Sequence, residues 1–443
     1  MKIAILGTGY VGLSTGVCLS EIGHSVFCID TDAQKIKNLN QGISPIYEPG
    51  LETLLTQNAA AGRLQFTTSH REALNGAEII IIAVGTPQME DGRANLSYLE
   101  QAAKDIASNL LQSAVVVLKS TVPVGTTERI KKIMEDLCNE KVSFEMASNP
   151  EFLRQGSAIM DTLKPDRIII GSENEEVAKK LQEMYLPLNV PFLLTSIKSA
   201  EMIKYASNAF LATKISFINE IANLCEVVGA DVEDVAKGMG KDKRIGEAFL
   251  RPGIGYGGSC FPKDVKALLH TANIYGISFS LLKETVAIND FQQEIIVRKA
   301  ISRLKDLKGK KITMLGLAFK PETDDMREAP AIKIARSLAE LGAEVVAYDP
   351  VAINNAKNIL GDTIRFASSV LETTVDADAI FIVTEWNEFK CLDLNSLMKI
   401  MKQPIVFDGR NCLEDDQIRA CKKIEYYPIG RPAILIGMTD EIF

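Results

Sequence analysis

The apolar positions of this chain fall into short, unbroken, β-branched runs separated by stretches with helical spacing. The first run, residues 2–6 (KIAIL), leads into GTGYVG and a helical pattern over 13–22, and a second, 25–30 (SVFCID), ends on Asp30. Further runs stand at 78–84 (EIIIIAV), 114–118 (AVVVL) and 167–170 (RIII). Strands apolar on both faces, alternating with helices, indicate a buried parallel sheet of the doubly wound α/β class. From about 198 to 307 the pattern turns helical apart from one glycine-rich loop. Within it 281–307, free of Gly and Pro, predicts a long connecting helix that also suits a dimer core. After Gly309 the α/β pattern restarts, with runs at 310–319 (KKITMLGLAF), 344–350 (EVVAYDP), 379–384 (AIFIVT) and 405–409 (IVFDG), and a helix expected over 331–341. The expected organisation is two Rossmann-like doubly wound domains, 1–197 and 308–443, joined by a central helical domain, 198–307.

Composition narrows the class. A chain of 443 residues exceeds one ordinary core, and an apolar share of 47% argues against disorder. A net charge of −8 argues against a dedicated nucleic-acid binder, which needs a basic face. No apolar run reaches the roughly 18 residues that span a bilayer, and the amino-terminal apolar stretch is broken by Gly7, Gly9 and Gly12. Eight cysteines without a CxxC pair suit reduced thiols and a cytoplasmic location. The three histidines, His24, His70 and His270, form no ligand-spaced pair, so no metal is expected.

Gly7, Gly9 and Gly12 form GxGxxG between a strand and a helix. Gly7 permits the tight turn, Gly9 lets a pyrophosphate approach the backbone, and Gly12 allows close helix–strand packing. Asp30 follows about 20 residues on, where a carboxylate binds a ribose 2′-hydroxyl and repels a 2′-phosphate; the expected cofactor is NAD. The second half lacks this fingerprint. Its turn reads GLAFKPETDD, and Lys320 at the strand end suits a phosphate-bearing ligand other than the dinucleotide, or else a solvated loop.

The densest segment is 249–264, FLRPGIGYGGSCFPKD. Its glycines let backbone lie close to a ligand, and Pro262 opens a helix. Cys260 thus sits just before a helix amino terminus and near Lys263, and both favour the thiolate. Cys18, Cys28 and Cys225 lie in apolar elements and read as buried structural thiols. Lys204 and Asn208, four apart, share a helix face that continues through Leu211 and Ile215. Buried, they are costly unless a ligand satisfies them; a partly solvated lysine is the alternative. Thr86, Thr121, Glu151 and Arg154 fall at expected strand ends, where open α/β sheets bind ligands, although each alone also fits a plain connection.

Taken together, GTGYVGL, EPGL, VGTP, STVPVGT, NPEFLR, KYASNAFLATKISFINE, GGSCFPKD and GLAFKPETDDMRE occur in this order along the chain. This resembles the UDP-glucose/GDP-mannose dehydrogenase family. The resemblance implies two Rossmann-like domains joined by a long helix, dimers or larger assemblies, and four-electron oxidation of a sugar C6 alcohol to a carboxylate with two NAD. UDP-glucose, giving UDP-glucuronate for polysaccharide biosynthesis, is the expected substrate; GDP-mannose or a UDP-N-acetylhexosamine is the alternative. The implied catalytic residues are Cys260 as nucleophile through a thiohemiacetal and thioester, Lys204, Asp264 and Asn208 for water and oxyanion, Glu151 as base, and Thr121. Implied for the cofactor are Gly7, Gly9, Val11, Gly12, Asp30, Lys35, Thr86, Thr121, Gln155, Lys263 and Arg327. Implied for the sugar nucleotide are Glu151, Phe152, Leu153, Arg154, Lys204, Asn208, Phe249, Leu250, Arg251, Pro252, Gly253, Gly257 and Lys320, with Arg244 reaching into a neighbouring subunit. One departure stands out: members commonly carry a second glutamate in NPEFLxEG, where this chain has Gln155, which cannot take a proton.

Two other classes compete. A one-hydride alcohol dehydrogenase needs no thiol and would resist alkylation. A non-catalytic NAD-binding regulator would bind without turnover.

Overall fold

The computed structural model describes residues 1–139 and 141–437. The chain divides into two compact units, Met1–Ser207 with Lys266–Tyr275, and Asn208–Val265 with Gly276–Phe443. The segment 198–307 contributes residues to both units.

The first unit is built on eight strands: β1 (Lys2–Leu6), β2 (Ser25–Ile29), β3 (Leu64–Thr67), β4 (Ile79–Ile82), β5 (Ala114–Leu118), β6 (Phe144–Ser148), β7 (Ile168–Gly171) and β8 (Phe192–Thr195). Their order is β3-β2-β1-β4-β5-β6-β7-β8. The first six are parallel, the Rossmann order with its switch point where β1 meets β4. All four residues of β4 and all five of β5 are buried, as β-branched runs covered on both faces require. The sheet is not wholly parallel: β6 meets β7 antiparallel through the single pair Ser148 and Gly171. Gly171 is crowded there; an added Cβ would lie 2.6 Å from the Ala200 side chain.

The second unit carries β9 (Lys311–Leu315), β10 (Glu344–Tyr348), β11 (Arg365–Phe366), β12 (Ala379–Ile382), β13 (Ile405–Asp408), β14 (Ile424–Tyr427) and β15 (Ile434–Ile436), in the order β11-β10-β9-β12-β13-β14-β15. The half-order β11-β10-β9-β12-β13-β14 repeats that of the first sheet, and only β15 is antiparallel. The helix Pro330–Glu340 covers this sheet with a strongly segregated apolar face.

The long helix lies elsewhere than the sequence pattern placed it. Ile197–Val228 runs 32 residues without interruption. The stretch 281–307 is instead two helices, Ser280–Gln292 and Ile295–Leu304. The break has a tertiary cause. Asn289, Gln292 and Gln293 are turned toward the glycine-rich loop: Asn289 accepts from Tyr256 N (2.8 Å), Gln292 donates to Gly253 O (2.8 Å) and Gln293 to Tyr256 O (3.1 Å). Holding three backbone groups of that loop outweighs one more helical turn. Among the described residues no helix is long and apolar enough to cross a membrane.

Candidate active site

At the end of β1 the chain turns through Gly7 at φ +97°, where an added Cβ would approach Ala83 O to 2.7 Å. A Cβ on Gly12 would fall 1.9 Å from Gly7 O, so only glycine lets the helix Tyr10–Glu21 pack this tightly on the turn. Gly9 has open space where its Cβ would stand, which leaves its backbone approachable by a diphosphate. Val11 packs against the unit's core.

Asp30 accepts from Thr8 N (3.0 Å), Thr8 Oγ1 (2.6 Å), Asp32 N (3.1 Å) and Lys35 Nζ (2.8 Å). Burial works to raise its pKa, but the bonds from Lys35, Thr8 and Asp32 prevail and hold it at about 2. This fixed carboxylate beside a glycine cradle fits the adenosine ribose of NAD. At the matching place in the second unit, Asp349 is consumed internally. It accepts from Leu317 N, Ala318 N, Val351 N, Ala352 N and Trp386 Nε1 and is 1% exposed, so no ribose can be read there.

Beyond β4 and β5, Thr86 Oγ1 donates to Thr121 O (2.9 Å), joining two of the expected cofactor residues. The loop after β6 holds Glu151, 7% exposed. Its Oε1 pairs with Lys204 Nζ at 3.1 Å and its Oε2 accepts from Leu153 N at 2.7 Å. Lys204 is itself 4% exposed and lies 5.2 Å from the Phe152 ring centre, so the lysine is a buried, paired cation and not a solvated one. Arg154 is largely exposed and grips Asp161 through two parallel bonds of 2.9 and 2.7 Å. Gln155 is buried in the same loop.

Several positions here escaped the sequence reading. Glu48, from EPGL, accepts from Tyr10 Oη, Gly156 N and Ala158 N, tying the 151–157 loop to the cofactor turn. Glu201 accepts from Gly125 N (2.7 Å), Thr127 N (2.8 Å) and Thr127 Oγ1 (2.6 Å), which anchors the loop carrying Thr121. Lys119, 7% exposed, donates to Asn149 Oδ1 at 3.1 Å. Burial, opposed by Glu151 and reinforced by Lys204, lowers its pKa to about 8. A buried acid in a turn motif, or a lysine closing a β-branched run, is the only signal sequence offers for these.

In the second unit Cys260 is half-buried and immediately precedes the helix Phe261–Ile274, and its carbonyl accepts from Asp264 N (2.9 Å). The helix begins at Phe261, one residue before the proline expected to open it. Asp264, 1% exposed, accepts from Asn208 Nδ2 (2.6 Å) and Lys263 Nζ (2.6 Å). Asn208, Lys263 and Asp264 thus form one network behind the cysteine. The Gly257–Gly258 turn is pressed onto a neighbouring loop: Gly258 N donates to Arg327 O (2.9 Å), and a Cβ on Gly257 would lie 2.1 Å from Glu328 O. Arg327 is paired with Asp325. Burial pushes Cys18 and Cys28 up to about 12.

A cavity of about 230 Å³ is lined by Phe249, Arg251, Pro252, Gly253, Gly257 and Lys320 of the expected sugar-nucleotide set. Phe249 holds φ +63°, a strained value for a bulky side chain, and its ring lies 6.1 Å from that of Phe261. Leu250 does not line the cavity; at 4% exposure its side chain belongs to the core. Arg244 is also absent from the lining, its side chain 89% exposed and paired with Asp242. Asn219, Glu385 and Arg410 line it as well. Asn219 Oδ1 accepts from Gly253 N (2.9 Å), while its Nδ2 is buried with no hydrogen-bond partner among the described residues; Glu385 Oε2 is ion-paired with Arg410 Nε at 3.4 Å. An orphaned polar atom in a cavity wall calls for a polar ligand. Arg410 spans the wall, donating to Val383, Gly255 and Phe319 carbonyls. Asn219 stands eleven residues beyond Asn208 on the helix Ile197–Val228, three turns along one face, a signal the sequence did offer.

Known proteins share this arrangement over nearly the whole chain. A UDP-glucose 6-dehydrogenase of Bacillus subtilis (strain 168) is 54% identical over 435 residues, spanning 98% of this chain and 99% of that protein. One of Rhizobium meliloti (strain 1021) is 47% identical, over 98% of this chain and all of the relative. The solved structure of a UDP-glucose dehydrogenase from Pyrobaculum islandicum superposes with TM-score 0.91 at 38% identity, covering 97% of each chain. A UDP-D-ManNAc dehydrogenase from Pyrococcus horikoshii gives 0.86 at 32%, covering 97% of this chain and 99% of that one. Residues 1–189, 198–291 and 313–415 match the NAD-binding, central and UDP-binding domains of one family in turn. With that order of domains, a dinucleotide cradle closed by Asp30 and a cysteine set before a helix, this chain belongs to the UDP-glucose/GDP-mannose dehydrogenase family and uses NAD.

Proposed function

We propose that this chain oxidises the C6 alcohol of UDP-glucose to the carboxylate, giving UDP-glucuronate, with Cys260 as covalent nucleophile. The observation that carries the chemistry is the Cys260 turn, a half-exposed thiol at a helix amino terminus with Asp264, Asn208 and Lys263 behind it. The choice of sugar nucleotide is supported by the names of the most similar relatives. NAD, held at Gly7–Gly12 and Asp30, supplies the hydride acceptor for both oxidations. The chain's own part begins once C6 is an aldehyde: the Cys260 thiolate adds to C6, giving a thiohemiacetal that retains the second hydride. Loss of that hydride leaves a thioester, and water cleaves it to acid and thiol. We assign Lys204 and Asn208 to the oxyanion, a contribution of about 3 kcal/mol per donor. Asp264 holds Asn208 and orients water. Glu151, with both oxygens engaged, anchors Lys204 in preference to accepting a proton.

Two further statements belong to this reading. The enzyme works in the cytoplasm, which suits a reactive thiol and the buried thiols Cys18, Cys28, Cys225, Cys412 and Cys421. It acts as a homodimer through the exposed apolar face of the helix Ile197–Val228, with Arg244 of one copy serving the other.

The test is the NADH formed per UDP-glucose with sugar limiting, followed at the nicotinamide absorbance. Two NADH per sugar is the expected result. One would reduce the chain to an ordinary alcohol dehydrogenase. None, with turnover of a UDP-N-acetylhexosamine or GDP-mannose, would move the substrate and keep the chemistry.

A further inference from the structure

We infer that Asn289 and Gln292 are positioning residues for the sugar nucleotide: neither lines the cavity, and both fix the backbone of its main wall before a nucleoside diphosphate arrives. The inference rests on the sugar-nucleotide reading above, since it concerns the same cavity.

Half of the residues that line the cavity stand in 249–257. That loop forms neither helix nor strand, and glycine occupies 253, 255 and 257 within it. A chain of this composition samples many backbone conformations, and ordering it only on binding would weaken the ligand's hold. Side-chain amides take the place of the missing ladder. Asn219 Oδ1 accepts from Gly253 N (2.9 Å), and Gln292 Nε2 donates to Gly253 O (2.8 Å). Asn289 meets Tyr256 twice, accepting from its N (2.8 Å) and donating to its O (3.1 Å), the exchange an antiparallel strand would make. Gln293 donates to the same carbonyl (3.1 Å), and Ile254 N donates to Gly409 O (3.0 Å).

Asn289 and Gln292 are 4% and 0% exposed and stand three apart on the helix Ser280–Gln292, so one face presents both amides. The Gln292 amide is itself oriented: Asn223 Nδ2 donates to its Oε1 at 3.1 Å, which turns Nε2 toward Gly253 O. Gly255 completes the fit at φ +82°, where an added Cβ would lie 2.6 Å from Asn289 Oδ1. Only an amide offers a donor and an acceptor side by side to a peptide group. Cys260 is fixed by other bonds. Gly258 N donates to Arg327 O (2.9 Å) and Asp264 N to Cys260 O (2.9 Å). Loosening 253–256 therefore weakens the grip on the sugar nucleotide and leaves the thiol in place.

The experiment uses the full-length enzyme, with UDP binding by calorimetry, steady-state kinetics and a thermal melt for each variant. Gln292→Met and Asn289→Leu keep the size of the side chain and remove its amide. Each is expected to weaken UDP and raise KM for UDP-glucose about tenfold, with kcat within about twofold of the parent and KM for NAD unmoved. Asn223→Ala removes only the bond that orients the Gln292 amide, from a half-buried site, and weakens UDP about threefold. Val297→Ala, a core substitution on the next helix, lowers Tm and binds UDP as the parent does. Folded amide variants with the parent's UDP affinity overturn the proposal, and so does a fall in kcat at unchanged affinity. Equal loss of UDP by Val297→Ala at the same Tm also overturns it, because the effect is then one of stability. A parent that binds GDP and not UDP strikes the substrate reading instead, and the proposal then stands or falls on the GDP affinity of the same variants.

Discussion

Cys260 differs from Cys18 and Cys28 by its surroundings alone. Those two are raised to about 12 by burial and can neither add to an aldehyde nor leave from a thioester at neutral pH. Cys260 is partly open and stands where the first free N–H groups of a helix point, so its thiolate is favoured. Replacing it with serine leaves shape and fold in place while removing the nucleophile and leaving group. Cys260→Ser is expected to lose steady-state acid production by at least about a thousandfold while melting as the parent does. Mass spectrometry checks it from the other side: the parent, denatured during turnover, carries a sugar-nucleotide adduct on the peptide containing Cys260, and the variant carries none. Steady acid formation by Cys260→Ser would remove the cysteine from the mechanism.

The elements show what a sequence pattern can and cannot disclose. Strands β1, β2, β4 and β5 were legible because a sheet covered on both faces demands continuous β-branched runs. Cofactor glycines were legible for a similar reason, since only one residue type fits. Gly9 and Gly12 separate the two demands on that turn. A Cβ on Gly12 collides with Gly7 O, whereas one on Gly9 meets no protein atom within 4 Å. Gly12→Ala should therefore cost stability, about 1–3 kcal/mol by overpacking, together with NAD affinity. Gly9→Ala should melt as the parent and lose only NAD affinity, because its methyl stands where the diphosphate approaches. Thermal melts paired with NAD titration by calorimetry decide it, and equal destabilisation by the two would mean that Gly9 too serves packing. What stayed hidden were features set by distant partners. The break between Gln292 and Ile295 carries no Gly or Pro; it follows from amide side chains that must reach the 253–256 backbone. The uninterrupted helix Ile197–Val228 has no Gly or Pro either, so that rule favours both stretches and cannot rank them. Glu48, Glu201 and Lys119 show their roles only through the backbone groups and charges they meet.

At the scale of the whole molecule, one topology has been used twice with opposite outcomes at the same strand end. Asp30 stays at the edge of an open glycine cradle, and Asp349 is saturated by four backbone N–H groups and the Trp386 indole. The second unit thereby gives up the dinucleotide and keeps a cavity walled by Lys320, Arg251 and Arg410, suited to phosphates without a second ribose carboxylate. One exposed face of this unit is apolar. Along the helix Ile197–Val228, Phe210, Phe217 and Leu224 recur at seven-residue intervals and are 66%, 47% and 57% exposed, with Val227 at 83%. This is the stripe on which the proposed homodimer rests, each copy offering the same face under twofold symmetry. Arg244, exposed and paired with Asp242, belongs to the same unit and is the side chain proposed above to serve the other copy. The double variant Phe217→Glu, Leu224→Glu places like charges face to face in such a dimer and is expected to run at the monomer mass in light scattering, where the parent runs at twice that mass or more. If Arg244 serves the other copy, the same variant raises KM for UDP-glucose, and Arg244→Ala in the intact dimer raises it to a similar extent. A monomeric variant with the parent's KM would keep the dimer and cancel the shared arginine. A parent that is itself monomeric would cancel both.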